Sequence, residues 1–193
     1  RFLSEDNFNK STSRQNFTES PADQYIKQNE TLGDRVLDLT SGFYNAKIAY
    51  HHHLINGYHG ARIRRYQEII NNKLIAEESA LRQNLQAGNA DFSSFPIINM
   101  LNTSHLIINP NSPQGVVKNN NALGSAWFVT ELEYTNTTDD EFNQTLALST
   151  PSLKAVVNKN ETPNNIGLSK GDIALTEYHP GYWKYESNNA GDG

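Results

Sequence analysis

The chain contains no cysteine. Disulfide staples, thiolate nucleophiles and cysteine-type zinc sites are therefore excluded, while the compartment stays open, since a cytosolic protein and a bacterial cell-surface domain can both do without them. Charge is scarce as well: 19% of residues carry it, and the formal net charge is −5 with a pI near 5.7. An acidic chain lacks the basic face that a nucleic-acid partner requires. No run approaches the roughly eighteen apolar residues of a membrane span, and no signal peptide opens the sequence. The chain begins on Arg1 and closes on the turn-like string Asn-Asn-Ala-Gly-Asp-Gly. It reads as a segment of something longer.

Uncharged polarity takes the place of charge. Asn, Ser, Thr and Gln bring the mean hydropathy to −0.66, and hydrophobic residues make up 36% of the chain. Such side chains favour caps and turns over long helices, and they are groups that sugar hydroxyls pair with. A length of 193 residues suffices for one domain with a sizeable core.

Patterning divides the chain. Residues 1–20, with Phe2, Leu3, Phe8 and Phe17 as isolated anchors, read as an extended arm. Ser20-Pro21 followed by ADQYIKQN predicts a capped short helix with Pro21 at its first position. Arg35 to Leu39 has strand composition between Gly33 and Gly42, and Phe43 to Leu54 reads as a short helical or irregular stretch. After a glycine turn at 57–60, a helix is predicted from about Ala61. Ile63, Tyr66, Ile70 and Leu74 form its core-facing stripe, and Arg64 and Glu68 an exposed pair. A second helical run covers Ile75 to Gln86, and a short one surrounds Pro96. Strands are then expected at His105–Asn109, Ala126–Tyr134, Ala155–Asn158, Ile173–Tyr178 and Tyr182–Glu186. A helix with an acidic first turn is expected from Thr138 to Leu148. The fold class is α+β, with a helix-rich first half and a mixed or antiparallel sheet in the second.

The unusual chemistry lies in His51 to Gln67, HHHLINGYHGARIRRYQ. A glycine turn that feeds a helix offers free backbone N–H groups, and Arg62 and Arg65 add permanent charge with bidentate reach. Tyr58, His59, Gly60, Arg62 and Arg65 are thus candidates to hold an anion such as a phosphate. The alternative is that the arginines serve the fold, paired with Asp34, Asp38 or a nearby Glu. The histidines lack an HExxH pattern or a carboxylate at helical offset, so a capping or surface role is expected and no metal or cofactor. Trp127 and Trp183, on expected strands, are candidates to stack on a sugar ring, although strand aromatics commonly belong to a core or its rim. No nucleophile elbow or assignable pair of acids supplies a catalytic constellation.

The string Gly57-Tyr58-His59-Gly60-Ala61-Arg62-Ile63-Arg64-Arg65-Tyr66-Gln67 resembles the YfhO family of bacterial multi-spanning membrane proteins. So do Asp34-Arg-Val-Leu-Asp-Leu39, Asn99-Met-Leu-Asn-Thr103, Asn121-Ala-Leu-Gly-Ser-Ala-Trp-Phe-Val129 and Tyr178-His-Pro-Gly-Tyr182, in matching order and spacing. The resemblance implies an extracytoplasmic domain on the outer face of the bacterial cytoplasmic membrane, set among the transmembrane helices of its parent. It divides the chain into the arm at 1–20, an α+β domain at 21–170, and at 171–193 the first strands of a β-rich continuation, the start of a β-sandwich. The implied parent is similar to a lipid-linked-sugar-dependent glycosyltransferase of cell-envelope glycans. Its partners would be a lipid-linked sugar or a glycan acceptor. The acidic loop associated with catalysis in such enzymes has no counterpart here, so the segment is expected to be non-catalytic alone, shaping the acceptor or carrier site. The rival expectation is a carbohydrate-binding or scaffold module with no part in transfer.

Overall fold

A computed structural model describes residues 17–43, 46–163 and 166–191; most of the arm expected at 1–20 lies outside them. The first helix, α1 (Pro21–Asn29), forms as its sequence predicts. Ser20 Oγ accepts from the Asp23 N–H at 3.2 Å, and Asp23 Oδ2 accepts from the Ser20 N–H at 2.7 Å. This reciprocal box satisfies helix donors that would otherwise be orphaned.

The central strand β1 (Arg35–Asp38) runs parallel to β2 (Thr103–Ile107), which pairs antiparallel with β3 (Val116–Lys118). β1 is also bonded along its other edge. Val36 N–H donates to His53 O at 2.8 Å, and Ile55 N–H donates to Val36 O at 3.0 Å. Side chains alternate across this sheet with the period of two that strands impose. Val36 and Ile107 meet Ala22 and Ile26 of α1 on one face, and Leu37 and Leu106 join the larger core on the other.

That larger core is closed by one unbroken helical stretch. α2 (Arg64–Ile69) passes through a π-helical turn at Ile70–Leu74 into α3 (Ile75–Gln86), which contributes buried Leu81. The wider π turn keeps Ile70 and Leu74 both inward. Ile63 departs from the expected stripe. It stands at the N-cap, ahead of the helix, and is 74% exposed. The helix therefore begins at Arg64 rather than Ala61.

Buried Glu77 of α3 accepts the N–H groups of Ile97 and Ile98 at 3.0–3.2 Å, capping α4 (Pro96–Met100) from a distant part of the chain. Phe92, Phe95, Ile97 and Ile98 complete this side of the core.

In the second half, β4 (Glu131–Thr135) and β5 (Lys154–Asn158) pair in parallel across α5 (Thr138–Ala147), whose Leu146 enters the main core. The last element is an antiparallel ribbon of β6 (Gly171–His179) and β7 (Tyr182–Asn189). The architecture is α+β, with the helical elements concentrated early and the small sheets late. Two local expectations fail. Residues 126–130 are not strand, because the Trp127 indole N–H is committed to Pro151 O at 2.8 Å, and the ladder starts only at Glu131. The strand expected at His105–Asn109 instead spans Thr103–Ile107.

His52 pins α1 to this frame. Its side chain is wholly buried, with Nδ1 3.1 Å from Glu30 Oε2 and Nε2 3.3 Å from Asp23 Oδ1. The second contact lacks hydrogen-bond alignment. Burial alone would raise the Asp23 carboxyl. The His52 ring, the Ser20 N–H and the Ser20 hydroxyl outweigh that and hold it at about 2, against an ordinary 3.8. A carboxylate with a depressed folded pKa contributes stability that is full above its unfolded pKa and lost as pH falls through the folded one. Asp23→Asn is thus expected to cost roughly 2 kcal/mol at pH 7 and to remove a step in stability between about pH 4 and pH 2. Urea titrations at several pH values measure both.

Candidate functional site

The bond from Val36 to His53 lays residues 53–56 along the edge of β1, and the Asn56 amide extends that pairing. Its Nδ2 donates to Asp38 O at 2.7 Å, while its Oδ1 accepts from Asp38 N–H at 3.2 Å. Past Asn56 the chain turns through Gly57–Gly60 and re-enters the fold at α2. Between this turn, the start of β1 and the β6–β7 ribbon lies a cavity of about 700 Å³.

The turn is held from within. Arg62 Nη1 donates to Gln67 Oε1 at 2.8 Å, and Nη2 donates to the Gly57 carbonyl. Its guanidinium also lies 6.0 Å from the Phe43 ring centroid, a cation–π distance. The Tyr66 hydroxyl donates to Ile55 O. Burial pushes that phenol up to about 12, with the charges of Arg35 and Arg62 acting the other way. Tyr66 stays protonated and serves as a fixed donor.

The opposite wall comes from the ribbon. Tyr178 and Trp183 face each other across it, edge to face, with centroids 4.7 Å apart. The Tyr178 ring also meets His53 edge-on at 5.4 Å. The ribbon lies close to the body at Gly33, where an added Cβ would fall 2.9 Å from Leu175 Cδ2 and 2.2 Å from Ser125 Oγ. Gly33 has φ +87, a conformation that side chains strain to adopt.

Arg35, at the first position of β1, lines the same cavity. Its backbone N–H donates to Asn102 O at 3.0 Å. The side chain is half-buried and has no hydrogen-bond or ion-pair partner among the described residues. Among the described residues no Asp or Glu lines the cavity. A net-acidic chain thus builds a hollow bordered by Arg35, Arg62, three histidines and three tyrosines, with Trp183 at its edge.

No known protein family, curated protein or solved structure matches the chain. The site is therefore read from its geometry.

The anion candidates separate. Tyr58, His59 and Arg62 border the cavity, whereas Gly60 and the exposed Arg65 do not. Tyr58 is 65% exposed, and His59 Nδ1 accepts from the Ala61 N–H at 3.1 Å, a contact internal to the turn. The ion pair expected with Asp34, Asp38 or a nearby Glu does not form for Arg62 among the described residues; its guanidinium goes to a backbone carbonyl and an amide instead. Those acids are used locally, Asp34 by the Thr31 N–H and Asp38 by Thr40 and Ser41.

Of the tryptophans, Trp183 borders the cavity and Trp127 lies elsewhere, bound to Pro151. The histidines diverge: His52 turns to Asp23 and Glu30, His53 to Tyr178, and His59 to its own turn. Arg35 was missed as a site residue, since a single cation at the head of an apolar strand carries no motif. Tyr178 is one of several strand aromatics able to stack on a sugar, and composition alone does not set it apart from Trp127.

Three substitutions separate the roles of the turn and the approach. Arg62→Gln removes two charge-assisted donors, so a loss of about 1–3 kcal/mol is expected, against less than about 0.5 for exposed Arg65→Gln. Gly33→Ala forces both a strained φ and a collision with Leu175 and Ser125, with an expected cost of about 1–3 kcal/mol. Equilibrium denaturation measures all three.

Proposed function

We propose that this chain is the ligand-holding, non-catalytic extracytoplasmic domain of a multi-spanning membrane protein that transfers sugar from a lipid-linked carrier to a cell-envelope glycan. The observation that carries the reading is the cavity of about 700 Å³ at the turn where the YfhO resemblance is centred. Its size suits one or two sugar units, since small-ligand sites run from about 300 to 1,000 Å³. Its lining combines the two features that a charged saccharide demands: arginines without competing carboxylates, and an aromatic edge. The membrane-spanning and catalytic parts would lie elsewhere in the parent, since no helix among the described residues is long and apolar enough to cross a bilayer.

The test fills the cavity in the full-length protein. Ala49 is an exposed residue on its wall, in the 3₁₀ turn Lys47–Tyr50. Ala49→Trp is expected to lower transfer from a polyprenyl-phosphate sugar to envelope polymer in membranes at least tenfold, with protein level and thermal unfolding unchanged. Transfer at the wild-type rate in a stably folded variant would refute the reading. It would favour a carbohydrate-binding or scaffold module, for which the Tyr178–Trp183 edge alone is sufficient.

A further inference from the structure

We infer that the counter-ion of this site is Arg35, and that its ligand is a sugar bearing an oxyanion, either a phosphate ester or a carboxylate. The ring would be held against Tyr178 and Trp183. The inference deepens the reading given under the proposed function and rests on it for the class of ligand.

Arg62 cannot fill this role without dismantling its turn, because its guanidinium is spent on Gly57 O, Gln67 and the Phe43 ring. Arg65 is outside the cavity. Arg35 differs from both: it borders the cavity, is half-buried, and has no partner among the described residues. A guanidinium carries five donors in a planar fork that matches phosphate or carboxylate oxygens bidentately. Leaving such a group half-desolvated with no acceptor is unfavourable, and an incoming oxyanion relieves that cost.

A second hollow, of about 60 Å³, offers a place for the oxyanion. It too is bordered by Arg35 and Trp183, and its far side is formed by Gly124, Ser125 and Asn102. This is the volume of a small polar group rather than of a sugar ring. Arg35 and Trp183 stand between the two hollows, so a ligand with its charge toward Ser125 and its ring toward Tyr178 would touch both. Such a ligand would also bridge β1 and the ribbon through Arg35 and Trp183. Binding should therefore slow backbone exchange in Gly171–Asn189.

The experiment uses the 193-residue chain with four probes: glucose 1-phosphate, glucuronate, glucose and inorganic phosphate. Calorimetry is expected to show at least one of the two sugar anions binding ten or more times tighter than glucose, and the two anions distinguish phosphate from carboxylate. Arg35→Gln should weaken the preferred anion at least tenfold, and Arg65→Gln should leave it unchanged. Trp183→Ala should weaken the sugar anion while sparing inorganic phosphate.

Should Arg35→Gln fail to fold, Arg35→Lys keeps the charge, loses the fork, and is expected to weaken binding by a smaller factor. Hydrogen exchange on the wild-type chain should show ligand-dependent protection of Gly171–Asn189. The inference is overturned if no sugar anion binds at millimolar concentration, if glucose binds as tightly, or if Arg35 variants bind like the wild type. Anion binding through Arg35 combined with unimpaired transfer in the cavity-filled parent would sink the transferase reading alone. Lost transfer with Arg35 unused would sink this inference alone.

Discussion

Hydrogen bonding on both edges of β1 is the constraint from which the rest of the architecture follows. One edge is taken by β2, contributed from far along the chain, and the other by residues 53–55. A strand with both edges paired and both faces covered has no backbone or side chain left to face water, apart from its ends. α1 must lie on the face where Val36 points, and the long helix on the face of Leu37. Arg35 falls at the strand's opening end, where the sheet gives out and the cavity begins. Its position is a consequence of register. A slip of one residue would exchange Val36 with Leu37 between two differently shaped cores and carry Arg35 off the cavity.

The abundance of asparagine finds its explanation in the same frame. Asn56 mimics a strand partner for Asp38. Asn102, at φ +54, bonds Gly33 O through Nδ2 and the Gly124 N–H through Oδ1, joining three segments at one point. Asn119 donates to both Asn99 and Thr103 O, and Asn99 donates to Phe92 O. Each amide presents a donor and an acceptor on a short stem, so one side chain can satisfy two backbone groups that strands leave open. A chain with four short sheet pairings and few charges has many such loose ends. Buried amide networks are stable where every member is paired.

How far the sequence discloses the fold depends on whether each signal is local. α1 is legible to the residue, because its cap, its proline and its apolar pair all fall within ten positions. The β6–β7 ribbon is legible in its two strands but not in their ends, since the ladder runs over 171–179 and 182–189 where strands are expected at 173–178 and 182–186. The strand expected through Ala126–Phe128 fails because its composition is overridden by a distant carbonyl, that of Pro151. Val116–Lys118 is too short to announce itself, and the π turn at Ile70–Leu74 has no sequence signature of its own. At the site the same division holds. A run of arginines beside glycines draws notice to Arg62 and Arg65, yet one is consumed within its turn and the other points away. Arg35 is a single cation opening an apolar strand, and only the packing of the ribbon against Gly33 makes it part of a cavity.

The contrast between Arg35 and Arg62 shows why sequence density of charge is a poor guide to where charge is available. Arg62 has acceptors built beside it by the local chain, so its charge is compensated wherever the turn forms. Arg35 has its backbone fixed by β2 and its side chain aimed into a space that no acid enters. Folding could have neutralised it at small cost, since Asp34 is its neighbour in sequence. Asp34 instead closes a turn by accepting the Thr31 N–H at 2.9 Å, which removes one of its oxygens from competition. The aromatic pair at the far wall adds ring surface to the cavity without supplying a carboxylate. A cation left unpaired in such a setting would weaken the empty fold and favour an occupied one, which is what the proposed role of Arg35 as a binding group requires.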